Sequence, residues 1–201
     1  YAVNSSTGKL ERRRGVELAA LTSVSAPFYT TLEGEFRPHF FRGVATVCNI
    51  LFNLVAPSHV FFGQKDAQQC VVIRKMISDL QMPIEFSAVE TMREANGLAM
   101  SSRNEYLTAD EREKAGVLFR AMQAGLAAHS SHATNARHIT SVVESVIMAE
   151  PLARVQYVRL NDPFTLEDLE STQGGALLSL AVFFGIKNTR LIDNITLPRL
   201  Q

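Results

Sequence analysis

Residues 59–89 read strand, helix, strand, and that order constrains the fold more than anything else in the chain. The run His59-Val60-Phe61-Phe62 is a short buried strand ending at Gly63. Residues 65–80 then carry Val72, Ile73, Met76, Ile77 and Leu80 on one helical face. Pro83 breaks that helix, and residues 84–89 read as a second strand. A βαβ unit of this length leaves its strands parallel, joined by a right-handed crossover. Upstream, Val44, Val47, Cys48, Leu51, Leu54 and Val55 follow helical spacing until Pro57. Downstream, Thr108 and Glu111 form a capping box, opening a helix whose face is Ala115, Leu118, Phe119, Met122 and Leu126. Residues 129–135 read as a linker. Ile139, Val142, Val143, Val146 and Ile147 mark another helix, ended by Pro151. Residues 155–160, 176–184 and 190–195 read as strands. The expectation is a parallel α/β region to residue 104 and a smaller α+β region over 105–201. Residues 1–36 are the least readable, and 1–31 have no placement.

Composition removes several function classes. With 46% hydrophobic residues among 201, the chain can build a core and is not a disordered tail. Twenty basic residues balance twenty acidic ones, which leaves no electrostatic argument for nucleic acid or an anionic membrane. Arg12, Arg13 and Arg14 are the only basic cluster and read as a solvated turn. The longest apolar stretch, 176–184, is too short to span a bilayer, and no signal peptide is visible. Cys48 and Cys70 form no C-x-x-C pair and read as buried free thiols in a reducing compartment, which suits the cytoplasm. The chain opens at Tyr1 without Met, which raises the expectation that the start of the gene product is missing.

Three segments carry chemistry. The first is Phe62-Gly63-Gln64-Lys65-Asp66-Ala67-Gln68-Gln69, where a strand ends and a helix begins. That place is the usual ligand crevice of open parallel sheets, and helix N-termini attract anions. Gly63 would admit a ligand close to the backbone, Lys65 suits a phosphate, and Asp66 can accept from sugar hydroxyls. Gln69 lies one turn beyond Asp66 and can both donate and accept. On spacing alone, an ordinary strand-to-helix turn capped by Asp66 is the better reading, because the pattern is short. The second segment is Gly97-Leu98-Ala99-Met100-Ser101-Ser102-Arg103-Asn104, where two hydroxyls and a guanidinium fork suit phosphate oxygens. A surface loop leading to the Thr108 cap is the plainer alternative. The third, residues 32–44, alternates charges and aromatics without a period, and its His39 reads as a hydrogen-bonded structural residue.

In order and spacing, R-P-H-F-F-R-G-V-A-T-V, F-F-G-Q-K-D-A-Q-Q and R-E-A-N-G-L-A-M-S-S-R-N-E-Y-L resemble the pantothenate synthetase (pantoate–β-alanine ligase) family. D-P-F-T-L-E-D-L at 162–169 and T-R-L-I-D-N-I-T-L at 189–197 extend the resemblance to about residues 32–197. It implies an α/β fold: a partial Rossmann-like nucleotidylyltransferase sheet, followed by an α+β lid domain. It implies an ATP- and Mg²⁺-dependent ligase that joins pantoate to β-alanine through a pantoyl adenylate, releasing pyrophosphate and AMP. By motif, Gly63 and Asp66 would hold the ribose, and Gln64 would belong to the ATP site. Lys65 would meet the phosphates and the reaction centre. Gln69 would bind pantoate, and Met92 would sit by the adenine. Met100, Ser101, Ser102 and Arg103 would form the loop that closes over the triphosphate. Lys65, Ser101, Ser102 and Arg103 are thus the catalytic candidates, and Arg37 is a further charge near the site. The complete enzyme would be a homodimer, with neither nucleic acid nor membrane as a partner and no metal bound directly by the protein.

The departures bear on activity. No H-x-G-H phosphate motif occurs in the sequence, and neither does the pantoate-binding glutamine that follows it in the family. The expectation is therefore a chain lacking the first half of the nucleotide-binding sheet. The alternative to a working ligase is an incomplete remnant that binds nucleotide or pantoate, or acts through partner contacts. Gln64, Ala67, Asn96 and Phe40 stand where Glu, an aromatic residue, Asp and His are common. A metal site at His129, His132 and His138 is a further alternative.

Overall fold

The computed structural model describes residues 2–3, 10–11, 31–37 and 39–200. Most of the unplaced segment 1–31, and the Arg12 to Arg14 cluster, lie outside the described residues. Two short strands, β1 (Ala2–Val3) and β2 (Leu10–Glu11), pair antiparallel. Helices α1 (Glu33–Phe36) and α2 (Phe40–Val55) precede the βαβ unit. That unit consists of β3 (His59–Gly63), a 3-10 turn (Gln64–Asp66), α3 (Ala67–Asp79) and β4 (Glu85–Val89). The strands are parallel, in register from His59 opposite Glu85 to Gly63 opposite Val89.

A second 3-10 turn (Ser102–Tyr106) leads into α4 (Ala109–Lys114), α5 (Val117–Ser130) and α6 (Ala136–Met148). Strands β5 (Ala153–Asn161), β6 (Ala176–Phe184) and β7 (Thr189–Leu197) form an antiparallel sheet in that order. Strand β6 is central and buried on both faces, so its period-two alternation serves two cores. Ala176, Leu178, Leu180, Val182 and Phe184 pack with α5 and α6. Leu177 and Ala181 pack instead with Tyr157 and with Val72, Ile73 and Met76 of α3. The antiparallel sheet is thereby fastened to the βαβ unit beside the ends of β3 and α3.

The capping box forms: Thr108 Oγ1 accepts from the Glu111 amide at 3.2 Å, and Glu111 accepts from the Thr108 amide at 2.8 Å. The helix expected to run on from it is instead two helices. Asn96 Nδ2 donates to the carbonyls of Arg112 and Glu113, at 2.9 and 3.1 Å, where the first helix ends, and the Glu113 carbonyl also accepts from the Gly116 amide at 3.2 Å. Gly116 sits against Asn96, where a Cβ would come within 2.7 Å of the carbonyl oxygen.

The expected linker over 129–135 is also corrected. Helix α5 runs through His129, which is fully buried. Its Nε2 lies 2.7 Å from the Pro198 carbonyl and so donates, while Nδ1 lies 2.9 Å from the Thr172 hydroxyl. Tertiary partners supply what a polar-looking sequence concealed. Both ring nitrogens are occupied, and among the described residues no group of three or more His, Cys, Asp or Glu is arranged to hold a metal ion. Likewise, no described helix is long and apolar enough to cross a membrane.

Candidate functional site

The expected helix start at Lys65 is corrected by two residues' breadth: a 3-10 turn intervenes, and α3 begins at Ala67. Asp66 makes no side-chain cap, so its carboxylate is not consumed by the helix end. The turn and the first helical turn present Lys65, Asp66 and Gln69 to a cavity of about 250 Å³. Glu33, Arg37 and Phe40 from α1 and α2 form another wall, and Arg103 reaches the cavity from its loop. Tyr157, Arg190, Asp193 and Asn194 line it from the antiparallel sheet.

Charge in this cavity is divided between engaged and available groups. Arg190 donates two bonds to the Glu33 carboxylate, at 2.7 and 2.6 Å, and a third to Gln156 at 2.7 Å. Tyr157 donates its hydroxyl to Glu33 at 2.8 Å. Burial, reinforced by the Glu33 charge, pushes the Tyr157 phenol far above its usual value, so it stays a donor. Burial works against the Arg190 charge, but the bond to Glu33, the Glu33 charge and Tyr157 together outweigh it. By contrast, Lys65, Arg37 and Arg103 have no carboxylate within ion-pair distance among the described residues. Arg37 lies 3.6 Å over the Phe40 ring, which orients it without neutralising it. Three cations without anionic partners around one concave space suit a polyanion.

The loop over residues 93–104 is held from beneath. Arg93 donates to Asp193 at 2.6 and 3.1 Å and to the Gly97 carbonyl at 3.0 Å. Burial pushes the Asp193 carboxyl up, against the pull of Arg93 and Lys65. Gly97 has φ of +89°, and a Cβ there would fall 2.3 Å from Phe119, so only glycine fits. Buried Asn104 donates to Glu94 at 2.7 Å and to the Ala99 carbonyl at 3.1 Å. Arg112 closes on Glu94 at 2.7 Å, and together with Asn104 it holds the Glu94 carboxyl below its usual value. Ser101 Oγ accepts from the Arg103 amide at 3.2 Å, starting the short turn that carries the arginine.

The expected site residues divide as follows. Arg37, Lys65, Asp66, Gln69 and Arg103 line the main cavity. Ser101 lines a small adjoining cleft together with Lys65 and Arg103. Gly63, Gln64, Met92, Met100 and Ser102 do not line the cavity. Gln64 instead reaches toward Asn194 Oδ1 at 3.4 Å. Met92 and Met100 are exposed, and the Met100 amide donates to the Met92 carbonyl at 2.9 Å. His39, expected to be hydrogen-bonded, is exposed at φ of +70°, and its ring makes no hydrogen bond among the described residues. Sequence reasoning missed Glu33, Tyr157, Arg190, Asp193 and Asn194 as site-forming residues. Arg190, Asp193 and Asn194 had a signal: they are charged or amide residues inside an otherwise apolar strand.

Comparison with known proteins finds relatives of this chain. The family model for pantoate-beta-alanine ligase matches residues 11–196. A pantothenate synthetase from Herpetosiphon aurantiacus is 50% identical over 175 residues, covering 87% of this chain and 61% of the relative. One from Chloroflexus aurantiacus is 49% identical over 164 residues, covering 81% of this chain and 58% of the relative. The crystal structure of pantothenate synthetase from Thermus thermophilus superposes with a TM-score of 0.80 at 40% identity, covering 86% of this chain and 61% of that one. Pantoate-beta-alanine ligase from Francisella tularensis, solved in complex with beta-gamma ATP and beta-alanine, gives a TM-score of 0.61 at 26% identity, covering 84% and 54%. The chain thus spans about 61% of the length of the first of these relatives.

Proposed function

The chain belongs to the pantoate-beta-alanine ligase family, and from that membership we propose that the protein joins pantoate to β-alanine using ATP. A pantoate carboxylate oxygen attacks the α-phosphorus of ATP, and the bond to the bridging oxygen breaks to release pyrophosphate. The β-alanine amine then attacks the acyl carbon, the C–O bond to AMP breaks, and the amine proton is lost to solvent. Little covalent chemistry falls to the protein, so positioning and charge dominate.

The observation that carries this reading is the cavity in which Lys65, Asp66 and Gln69 at a strand end share one space with Arg37 and Arg103. Lys65 serves the phosphates and the reacting carboxylate. Asp66 and Gly63 serve the ribose, and Gln69 serves pantoate. Met92 offers backbone groups to the adenine. Met100, Ser101, Ser102 and Arg103 close over the triphosphate, with Gln64 beside them and Arg37 as a further charge. Glu33 and Asp193 are already engaged by arginine forks; Mg²⁺ brought with the nucleotide would neutralise charge on its phosphates. In this reading residues 1–104 belong to a Rossmann-like nucleotide-binding domain and 105–201 to a lid domain. The complete enzyme is a cytoplasmic homodimer.

A second reading has its own support. The sequence holds no H-x-G-H motif, which favours a chain that binds nucleotide and pantoate without turnover. One experiment separates the two: incubate the protein with Mg²⁺, ATP, pantoate and β-alanine, and quantify pyrophosphate and AMP. Pantoate-dependent pyrophosphate release that is lost in Lys65→Ala supports the ligase. ATP binding without release supports the second reading. Neither binding nor release from folded protein refutes both.

A further inference from the structure

Strand β7 does more than complete a sheet. The turn over Gln64–Asp66 has no side-chain cap at either end, and Gly63 before it has open space around its Cβ position. The direction of Lys65 therefore depends on what holds the turn's carbonyls. Asn194 Nδ2 donates to the Gln64 carbonyl and to the Lys65 carbonyl, each at 2.9 Å. Those oxygens can only accept, so the amide orientation follows from its partners. Asn194 is buried, and its backbone is held in the ladder opposite Ser179.

The preceding residue grips the other half of the site. Asp193 takes the Arg93 fork and accepts from the Asn194 amide at 2.8 Å. Arg93 in turn binds the Gly97 carbonyl, at the root of the loop that carries Ser101 and Arg103. Two consecutive residues of one strand thus hold the two segments that bring Lys65 and Arg103 to the cavity.

We propose that Asn194 is a positioning residue that aims Lys65, and that Asp193, acting through Arg93, sets the loop bearing Arg103 at a matching distance. The inference rests on the ligase reading of the site, since it assigns the pair to holding two cations around one polyphosphate. Neither residue touches substrate in this scheme. They act through the backbone of 64–65 and through Arg93.

The test is a double-mutant cycle with Asn194→Ala and Lys65→Ala, read as pantoate-dependent pyrophosphate release. A misaimed group costs on the order of 10- to 100-fold in rate. Asn194→Ala should therefore lower kcat by about 10- to 100-fold, with KM for ATP changed less than about threefold. In the Lys65→Ala background the same substitution should cost less than about threefold, because the group it aims is gone. Asn194→Ser, which keeps one donor, should fall between wild type and Asn194→Ala. Equal losses in both backgrounds would overturn the inference, leaving Asn194 a structural residue only. If wild-type protein releases no pyrophosphate, the proposed activity fails on its own account. Amide hydrogen exchange then decides the positioning role. Faster exchange over 64–69 in Asn194→Ala, with 155–160 unchanged, supports it, and unchanged exchange over 64–69 overturns it.

Discussion

Replacing Glu33 by glutamine tests what ties α1 to the antiparallel sheet. The substitution keeps the shape and removes the charge. In the native protein the carboxylate receives two bonds from Arg190 and one from Tyr157. The Glu33 side chain is 10% exposed and that of Arg190 is 23% exposed. Removing one partner of a buried pair costs about 3–5 kcal/mol, because the other charge is left uncompensated. Arg190 keeps its bond to Gln156 and some access to water, which sets the expectation at the lower end, about 3 kcal/mol. For a protein of this size, 1 kcal/mol shifts Tm by about 2–4 °C, so Glu33→Gln should lower it by about 6–12 °C. Thermal unfolding by circular dichroism reads this directly. In an Arg190→Gln background, Glu33→Gln should cost less than about 1 kcal/mol, since no charge remains to strand. A drop below about 2 °C, or the same cost in both backgrounds, would mean that this pair does not hold residues 31–37 against the sheet.

Lys65→Ala should reduce pyrophosphate release by at least about 100-fold while moving Tm by less than about 2 °C, since the side chain supplies positioning and charge rather than packing. Normal turnover in that variant would remove Lys65 from its assigned role. Glu94 has a depressed folded-state value, so its contribution to stability is present above the ordinary value of 4.5 and is lost as pH falls through the folded value. A Tm–pH profile of Glu94→Gln should therefore lie below wild type at neutral pH and converge with it in acid, and parallel profiles would contradict this. Burial pushes the Cys70 thiol up to about 11 and raises Cys48 as well. Neither should react with a disulfide reagent at pH 8 until the protein unfolds, and rapid labelling of native protein would refute that. Leu54 is 77% exposed, Val55 70% and Phe61 68%, so this chain in isolation should self-associate, and a monodisperse monomer in sizing chromatography would count against it.

The parts of the fold legible in the sequence are those written in local patterns. Strand β3, the helix after it and the capping box at Thr108 each follow from residues within one or two turns of one another. The break at Ala115–Gly116 was not legible, because Asn96, which bonds to the carbonyls there, lies 16 residues before the first of them. His129 misled for the same reason: its partners, Thr172 and Pro198, are 43 and 69 residues away. In the site, the motif around Lys65 could be read because a strand end and a helix start coincide there. Glu33 and Arg190 could not, since 157 residues separate the two halves of one ion pair. The sequence also suggested a capping role for Asp66, whereas its side chain makes no cap bond and the residue lines the cavity.

Strand β6 is a wall common to two rooms. Its even-numbered residues pack with the helical layer, while Leu177 and Ala181 pack on the βαβ side, and Ser179 and Leu180 line the cavity. Parity along the strand therefore separates the two packing layers, with Leu180 serving both the helical layer and the cavity. Enlarging Ser179 reshapes the cavity, while trimming Leu178 hollows the helical layer. Because neither room has a wall of its own here, the two should melt in a single transition.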